Sequence, residues 1–247
     1  MMKSIYLMAL SLILSQFSVG RALAQASDSF QTPGGKTVTI HHIKHASIHF
    51  EYDGMHIYAD PVGTTIEPKT DVSLLPKANI ILVTHEHADH YDPMALPQMY
   101  LPATALYANP SVVSKAHRGV ALSNGDSIVF RQDIKIYAVP AYNTTEGREK
   151  FHPKGRDNGY ILQLDGLRIY IAGDTEDIPE MANVKDIDVA FLPCNQPYTM
   201  TIDQLVNAAN TIKPKVLFPY HYSDTPINQV RMRLAGSGID VRIRAYK

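Results

Sequence analysis

A short apolar run that leads into a burst of histidines constrains this chain more than any other feature. Asn79–Thr84 reads NIILVT, and His85-Glu86-His87-Ala88-Asp89-His90 follows it directly. A short, continuously apolar run is the pattern of a strand buried on both faces. The polar residues after it cannot share that burial, so the chain must turn at a sheet edge. A tight turn there directs alternate side chains to one point. His85 and His87 can then chelate one ion, because imidazole nitrogen suits zinc and similar metals. Asp89 and His90, offset along the turn, can serve an adjacent second ion. Carboxylate combined with imidazole suits zinc, manganese or iron alike. An ordinary polar loop would not gather three histidines and two acids in six residues at such a place.

Composition narrows the remaining classes. The 247 residues carry a formal charge of −1 and no basic cluster, which argues against a nucleic-acid partner. Hydrophobic residues, at 45%, suffice to bury a sizeable core. Histidine is the unusual count, eleven against one cysteine and no tryptophan. The single Cys194 excludes an internal disulfide and a multi-cysteine zinc site. Its apolar neighbours, Phe191, Leu192 and Pro193, predict a buried and inert thiol. The N-terminus predicts export: Lys3 precedes a mostly apolar stretch from Ser4 to Val19, and Ala22-Leu23-Ala24 forms an A-x-A cleavage site. That stretch is shorter than the about 20 residues a membrane span needs, so no stable span is expected after cleavage. The expected organisation is a signal peptide over residues 1–24, an extension over 25–36 and one domain over 37–247. The expected location is periplasmic or secreted, and the expected partner is a small-molecule substrate.

Periodicity divides the domain into two halves of similar style. Thr37–Ile43 alternates apolar and polar residues. Ser47–Tyr52 and Met55–Ala59 flank Asp53-Gly54, a strong two-residue hairpin signal. Helices are expected over Pro93–Met99 and over Ser111–His117, the second with a serine cap, and a strand over Ala105–Ala108. In the second half, Ser127–Arg131 and Ile134–Val139 are expected strands. Tyr160–Leu164 and Leu167–Ile171 flank a second hairpin signal, Asp165-Gly166. Strands are expected over Ile187–Leu192, Val216–Pro219 and Ile239–Ile243, and helices over Thr201–Ile212 and Pro226–Ala235. Each half is rich in strands first and then alternates strand with helix. The expected fold class is therefore α/β, two similar halves sharing one core with helices outside two packed mixed sheets.

At His85-Glu86-His87-Ala88-Asp89-His90 the chain resembles the metallo-β-lactamase superfamily, and the likeness extends beyond that motif. Ala172-Gly173-Asp174-Thr175 is similar to the superfamily's later turn, whose aspartate bridges two metals. Pro219-Tyr220-His221-Tyr222 is similar to the late strand end that bears the last histidine. His45-Ala46-Ser47 and Asp60-Pro61 resemble early motifs of one branch, which contains ascorbate-6-phosphate lactonase-like and N-acylphosphatidylethanolamine phospholipase D-like hydrolases. The resemblance implies an αββα sandwich with the metal site on one sheet edge. It implies a first metal held by His85 and His87 and a second held by Asp89, His90 and His221, with Asp174 between them. Asp60 would orient a ligand histidine from behind, and His45 would meet substrate or the floor of the site. One ligand departs from the pattern. The superfamily usually supplies a third histidine to the first metal after the strand corresponding to Ile134–Val139. Here the chain continues Pro140-Ala141-Tyr142-Asn143, and Asn143 stands about where that histidine belongs. His152, in Phe151-His152-Pro153, is the alternative donor.

The chemistry implied is metal-assisted hydrolysis with one or two divalent ions, zinc first, manganese or iron as alternatives. A metal lowers the pKa of a bound water towards about 7, and the hydroxide so formed attacks a carbonyl or phosphoryl centre. Asp89 is the candidate catalytic residue, orienting the nucleophile and shuttling its proton. The branch implies a lactone, ester or phosphoester-type substrate. Arg148, Lys150, Lys154 and Arg156 either hold an anionic group of that substrate or form a solvated loop. Two other readings compete: an exported lactamase, and a non-catalytic metal- or ligand-binding relative whose first site is incomplete at Asn143.

Overall fold

A computed structural model describes residues 27–246. The expected export signal over residues 1–24 lies outside the described residues. The first half contributes β1 (Ser27–Gln31), β2 (Thr37–Lys44), β3 (Ser47–Tyr52), β4 (Met55–Ala59), β5 (Ala78–Val83), β6 (Tyr100–Ala108) and β7 (Val120–Ala121). It also carries α1 (Leu96–Met99) and α2 (Pro110–Ala116). The second half contributes β8 (Ser127–Arg131), β9 (Ile134–Ala141), β10 (Asp157–Leu164), β11 (Leu167–Ile171), β12 (Val189–Pro193), β13 (Val216–Tyr220) and β14 (Asp240–Val241), with α3 (Ile202–Ile212) and α4 (Asn228–Arg233).

Each half forms one seven-stranded sheet, in strand order β1 to β7 and β14 to β8. The two sheets repeat one plan. β1 to β4 are antiparallel neighbours, and β4 to β7 are parallel. β8 to β11 are antiparallel neighbours, and β11 to β14 are parallel. Alternation along the strands builds the core between the sheets: Val38 and Ile40 of β2, Ile48 and Phe50 of β3, and Ile134, Ile136, Tyr160 and Leu162 of the other sheet meet there. A second apolar layer packs α3 and α4 on the outer face of the second sheet. A third covers the first sheet beneath α1 and α2. This is the αββα sandwich of two similar halves. Both hairpin signals form as expected. Asp53 and Gly54 have φ of 51° and 72°, and Asp165 and Gly166 have φ of 47° and 88°, the pair of positive values that a type I′ turn demands.

Three local expectations change. The strand β1 occupies part of the expected extension and pairs antiparallel with β2. Its alternation is hidden because the inward residue is Asp28, buried against His42, Arg242 and Arg244. The helix expected from Pro93 begins only at Leu96, since the Asp92 carboxylate accepts from the N–H groups of Met94 (2.9 Å) and Ala95 (3.0 Å) and holds a turn there. The cap of α2 is Asn109, whose Oδ1 accepts from Val112 N at 2.9 Å, and not Ser111. Among the described residues, no helix is long and apolar enough to cross a membrane.

Candidate metal centre

The parallel strands of both sheets end at one edge of the sandwich, and the sequence motifs sit on those ends. β5 runs into Thr84, which is pinned to Asp60 at the end of β4. Thr84 N donates to Asp60 Oδ1 at 2.7 Å, and Thr84 Oγ1 donates to Oδ2 at 2.8 Å. A tight turn follows, closed by His90 N and Tyr91 N on the carbonyl of His87. His45 follows β2 and His221 follows β13. His45, Asp60 and His221 have φ of 48°, 44° and 47°, a region that residues other than glycine seldom occupy. Strained backbone of this kind gathers at functional sites. Gly173, at φ +66°, is required before Asp174, since a Cβ there would lie 2.9 Å from the Asn158 carbonyl. Tyr220 Oη accepts from Gly173 N at 2.9 Å and fixes the turn.

Two groups of donors result. In the first, His85 Nε2 lies 3.0 Å from His87 Nδ1, which lies 3.2 Å from His152 Nε2. His152 Nδ1 donates to the Tyr198 carbonyl at 3.1 Å, so its Nε2 carries the lone pair turned inward. His85 Nδ1 faces Thr84 Oγ1 at 3.0 Å, with the same consequence. In the second group, Asp89 Oδ2 lies 3.1 Å from His45 Nε2, 3.3 Å from His221 Nε2 and 3.7 Å from His90 Nε2. His90 Nδ1 donates to Asp60 Oδ2 at 2.8 Å. Asp174 joins the groups: Oδ1 is 3.2 Å from His90 Nε2, while Oδ2 is 3.4 Å from both His152 Nε2 and His221 Nε2 and 4.0 Å from His85 Nε2.

The electrostatics of the two groups differ. Burial, with His90, His152 and His87 adding to it, pushes the His85 imidazole well below its ordinary pKa, against the pull of Asp174. Burial likewise pushes His152 down to about 4. At His90 burial acts in the same direction, but Asp174, Asp89 and Asp60 outweigh it and hold the imidazole well above its ordinary value. Burial opposes ionisation of Asp89, yet His90, His221 and His45 keep its carboxyl far below the usual carboxylate range. Asp174 is held down in the same way, chiefly by His221 and His90. The donor set fits a cation. His90 Nε2 and Asp174 Oδ1 are both buried and face each other without a hydrogen-bond partner, and clustered imidazole lone pairs and carboxylates suit a divalent ion of the zinc, manganese or iron kind.

The third imidazole of the first group is His152; the Asn143 amide nitrogen is occupied elsewhere, while its Oδ1 is buried without a hydrogen-bond partner. Asn143 Nδ2 donates to the carbonyls of Tyr198 (2.8 Å) and Arg148 (3.3 Å), and its backbone N–H donates to the His152 carbonyl at 2.9 Å. It shapes the loop that delivers His152. Glu176, which the sequence reading passed over, anchors the same loop. Its Oε2 accepts from Thr144 N at 2.8 Å, Thr145 N at 2.7 Å and Thr144 Oγ1 at 2.9 Å. The only sequence signal for it is its place two residues after Asp174. Lys44 was missed too. It is buried, and its Nζ donates to the carbonyls of Gly63, Ile66 and Pro68, holding the loop beside Asp60. The basic residues of the His152 loop all have partners within the fold. Arg148 faces Glu176 at 3.6 Å, Lys154 pairs with Glu180 at 2.8 Å, Arg156 with Asp157 at 2.7 Å, and Lys150 lies over the Phe151 ring. Cys194 is buried and its thiol is pushed up to about 12 by that burial, the inert state expected of it.

Known proteins resemble this chain in sequence and fold. The pattern of the beta-lactamase superfamily domain matches residues 39–221. A UPF0173 metal-dependent hydrolase of Ligilactobacillus salivarius is 32% identical over 74% of this chain and 84% of its own length. Another from Enterococcus faecalis is 33% identical over 72% and 82%. A crystal structure of a Parabacteroides distasonis protein, provisionally described as a metal-dependent hydrolase, is 53% identical. It covers 90% of this chain and all of that one, with a TM-score of 0.87. Igni18, a metallo hydrolase from Ignicoccus hospitalis, shares the fold at 23% identity and a TM-score of 0.70 over 84% of this chain and 95% of its own. The chain belongs to the metallo-beta-lactamase superfamily. Within it, the chain is a metal-dependent hydrolase.

Proposed function

We propose that the centre holds two divalent ions, zinc in the first instance, and hydrolyses a lactone, ester or phosphoester-type small molecule. The observation that carries the reading is the convergence of two donor groups on one shared carboxylate, Asp174. His85, His87 and His152 hold one ion; Asp89, His90 and His221 hold the other. Bound there, the ions supply Lewis acidity, bringing the pKa of a coordinated water towards about 7 and polarising the electrophile. Asp89 is the acid open to solvent, its side chain 31% exposed against 3% for Asp174. It orients the attacking water and takes up its proton. His45, against the same Asp89 Oδ2 that faces His221 and over the His221 ring at 3.8 Å, keeps that carboxylate in place and faces the substrate side. Asp60 fixes the tautomer of His90 through Nδ1.

His152 supplies the third imidazole of the first group, and this weighs against a non-catalytic relative with an incomplete site. The N-terminal pattern of Lys3, the apolar stretch and Ala22-Leu23-Ala24 supports export to a periplasm or to the medium. N-terminal sequencing of the secreted protein should begin at Gln25. For the activity, the metal-loaded protein should turn over members of a lactone, ester and phosphodiester panel, and Asp89→Ala should nearly abolish that turnover. A protein that retains no metal after dialysis against zinc and manganese would overturn the reading, as would full activity in the variant.

A further inference from the structure

The metal centre leaves part of the histidine excess unexplained. His42 is sealed in the core, with Asp28 at 2.9 Å on Nε2 and the Tyr246 hydroxyl at 2.6 Å on Nδ1. Three more, His41, His49 and His56, lie together on the outer face of the first sheet. Alternation puts them there: Ile40, Phe50 and Ile57 point into the core, so their neighbours in β2, β3 and β4 point away from it. Register sets His41 opposite His49, His49 opposite Tyr58, and Glu51 opposite His56. The His49 ring stacks on His41 at 4.9 Å and on Tyr58 at 4.4 Å. His49 Nε2 lies 3.0 Å from His56 Nδ1. His41 Nε2 lies 3.7 Å from Glu51 Oε2, buried and without a hydrogen-bond partner.

Two ring nitrogens this close share either one proton or one cation. Burial, together with His41 and His56, pushes the His49 imidazole down to about 3, so at neutral pH it presents a lone pair. A carboxylate and a third imidazole border the pair on the same face. Paired imidazoles favour the late first-row divalent ions, with copper strongest in that order. The catalytic reading requires none of these residues. We propose that this face is a peripheral site for Zn²⁺, Cu²⁺ or Ni²⁺, held by the paired imidazoles of His49 and His56. The bound ion clips β3 to β4, and β4 leads directly into Asp60.

The proposal stands or falls separately from the hydrolytic centre. Metal-free full-length protein is titrated with Zn²⁺ and with Cu²⁺, desalted and assayed for bound metal by mass spectrometry. His49→Gln/His56→Gln should bind one ion fewer than the parent and keep its turnover. His85→Gln/His87→Gln should keep the peripheral ion and lose turnover. Cu²⁺ added to zinc-loaded parent should show nitrogen couplings by electron paramagnetic resonance, and these should vanish in the double variant. Where the double variant does not fold, His56→Gln alone, at a partly exposed position, should show the same loss. Equal stoichiometry and unchanged copper spectra in a folded variant would overturn the site.

Discussion

The two donor groups are neighbours built by different means. The second group stands on strand ends: His45 after β2, the turn after β5, and His221 after β13. Backbone hydrogen bonds lock these ends together, His221 N to the His45 carbonyl and His45 N to the Tyr246 carbonyl. The first group takes His85 and His87 from the turn after β5, but draws His152 from the long loop between β9 and β10. That loop has no ladder of its own and is held by Asn143, Tyr198 and Glu176. One group inherits its geometry from the sheets, and the other depends on a few side-chain hydrogen bonds. A site on strands is set as soon as the sheets form, whereas a site on a loop needs its own supports.

The largest expected effect removes the difference between them. Asp174 touches both groups, so Asp174→Ala should release both ions and lower kcat/KM by on the order of 10³-fold. Retention of either ion with native affinity would show that the groups are not joined there. Smaller effects should separate the groups. Asn143→Ala removes the strut behind His152 and should weaken only the first ion, by about 10- to 100-fold. Asp60→Asn leaves His90 without its anionic partner and should weaken the second ion by a similar factor of about 10 to 100, and the first ion less, because Asp60 reaches His85 only through Thr84. Competition titrations with a chromophoric chelator would resolve the two affinities. Equal loss at both sites in either variant would break the distinction.

The same difference explains what could be read in the chain. His85, His87, Asp89 and His90 stand beside NIILVT, and Asp174 and His221 follow apolar runs. Strand periodicity fixes where such residues lie, so their convergence follows from the pattern. Both Asp-Gly hairpins were legible for the same reason, since few other residue pairs tolerate two positive φ values. His152 lies in a loop whose path obeys no period, and sequence left it level with Asn143. Only the tertiary structure, which sets His152 Nε2 3.2 Å from His87 Nδ1, separates the two. β1 escaped notice because an inward carboxylate, Asp28, replaces the apolar residue that would have marked its face. Glu176 and Lys44 are buried charges whose partners are backbone groups far along the chain, and no local signal announces such pairs.

The smallest effect is a single proton, and it tests the comparison most directly. In the metal-free protein His85 and His152 are pushed down, His152 to about 4, so both are neutral at pH 7. His87 is also lowered, by burial first and then by Arg156. An ion entering the first group displaces no proton from these imidazoles. His90 is raised well above the ordinary histidine value and is protonated at neutral pH, while Asp89 and Asp174 are already ionised. An ion reaching His90 Nε2 must therefore displace one proton. Binding at the second group should strengthen by about tenfold per pH unit as pH rises through neutrality, until His90 is neutral without metal. Binding at the first group should stay flat on the same rise and weaken only on acidification towards about 4, where His152 takes up its proton. Calorimetric titration in two buffers of different ionisation enthalpy counts the protons for each binding step. Matching proton counts for the two ions would show that the groups share one electrostatic environment, and that the raised His90 is not what sets the second apart.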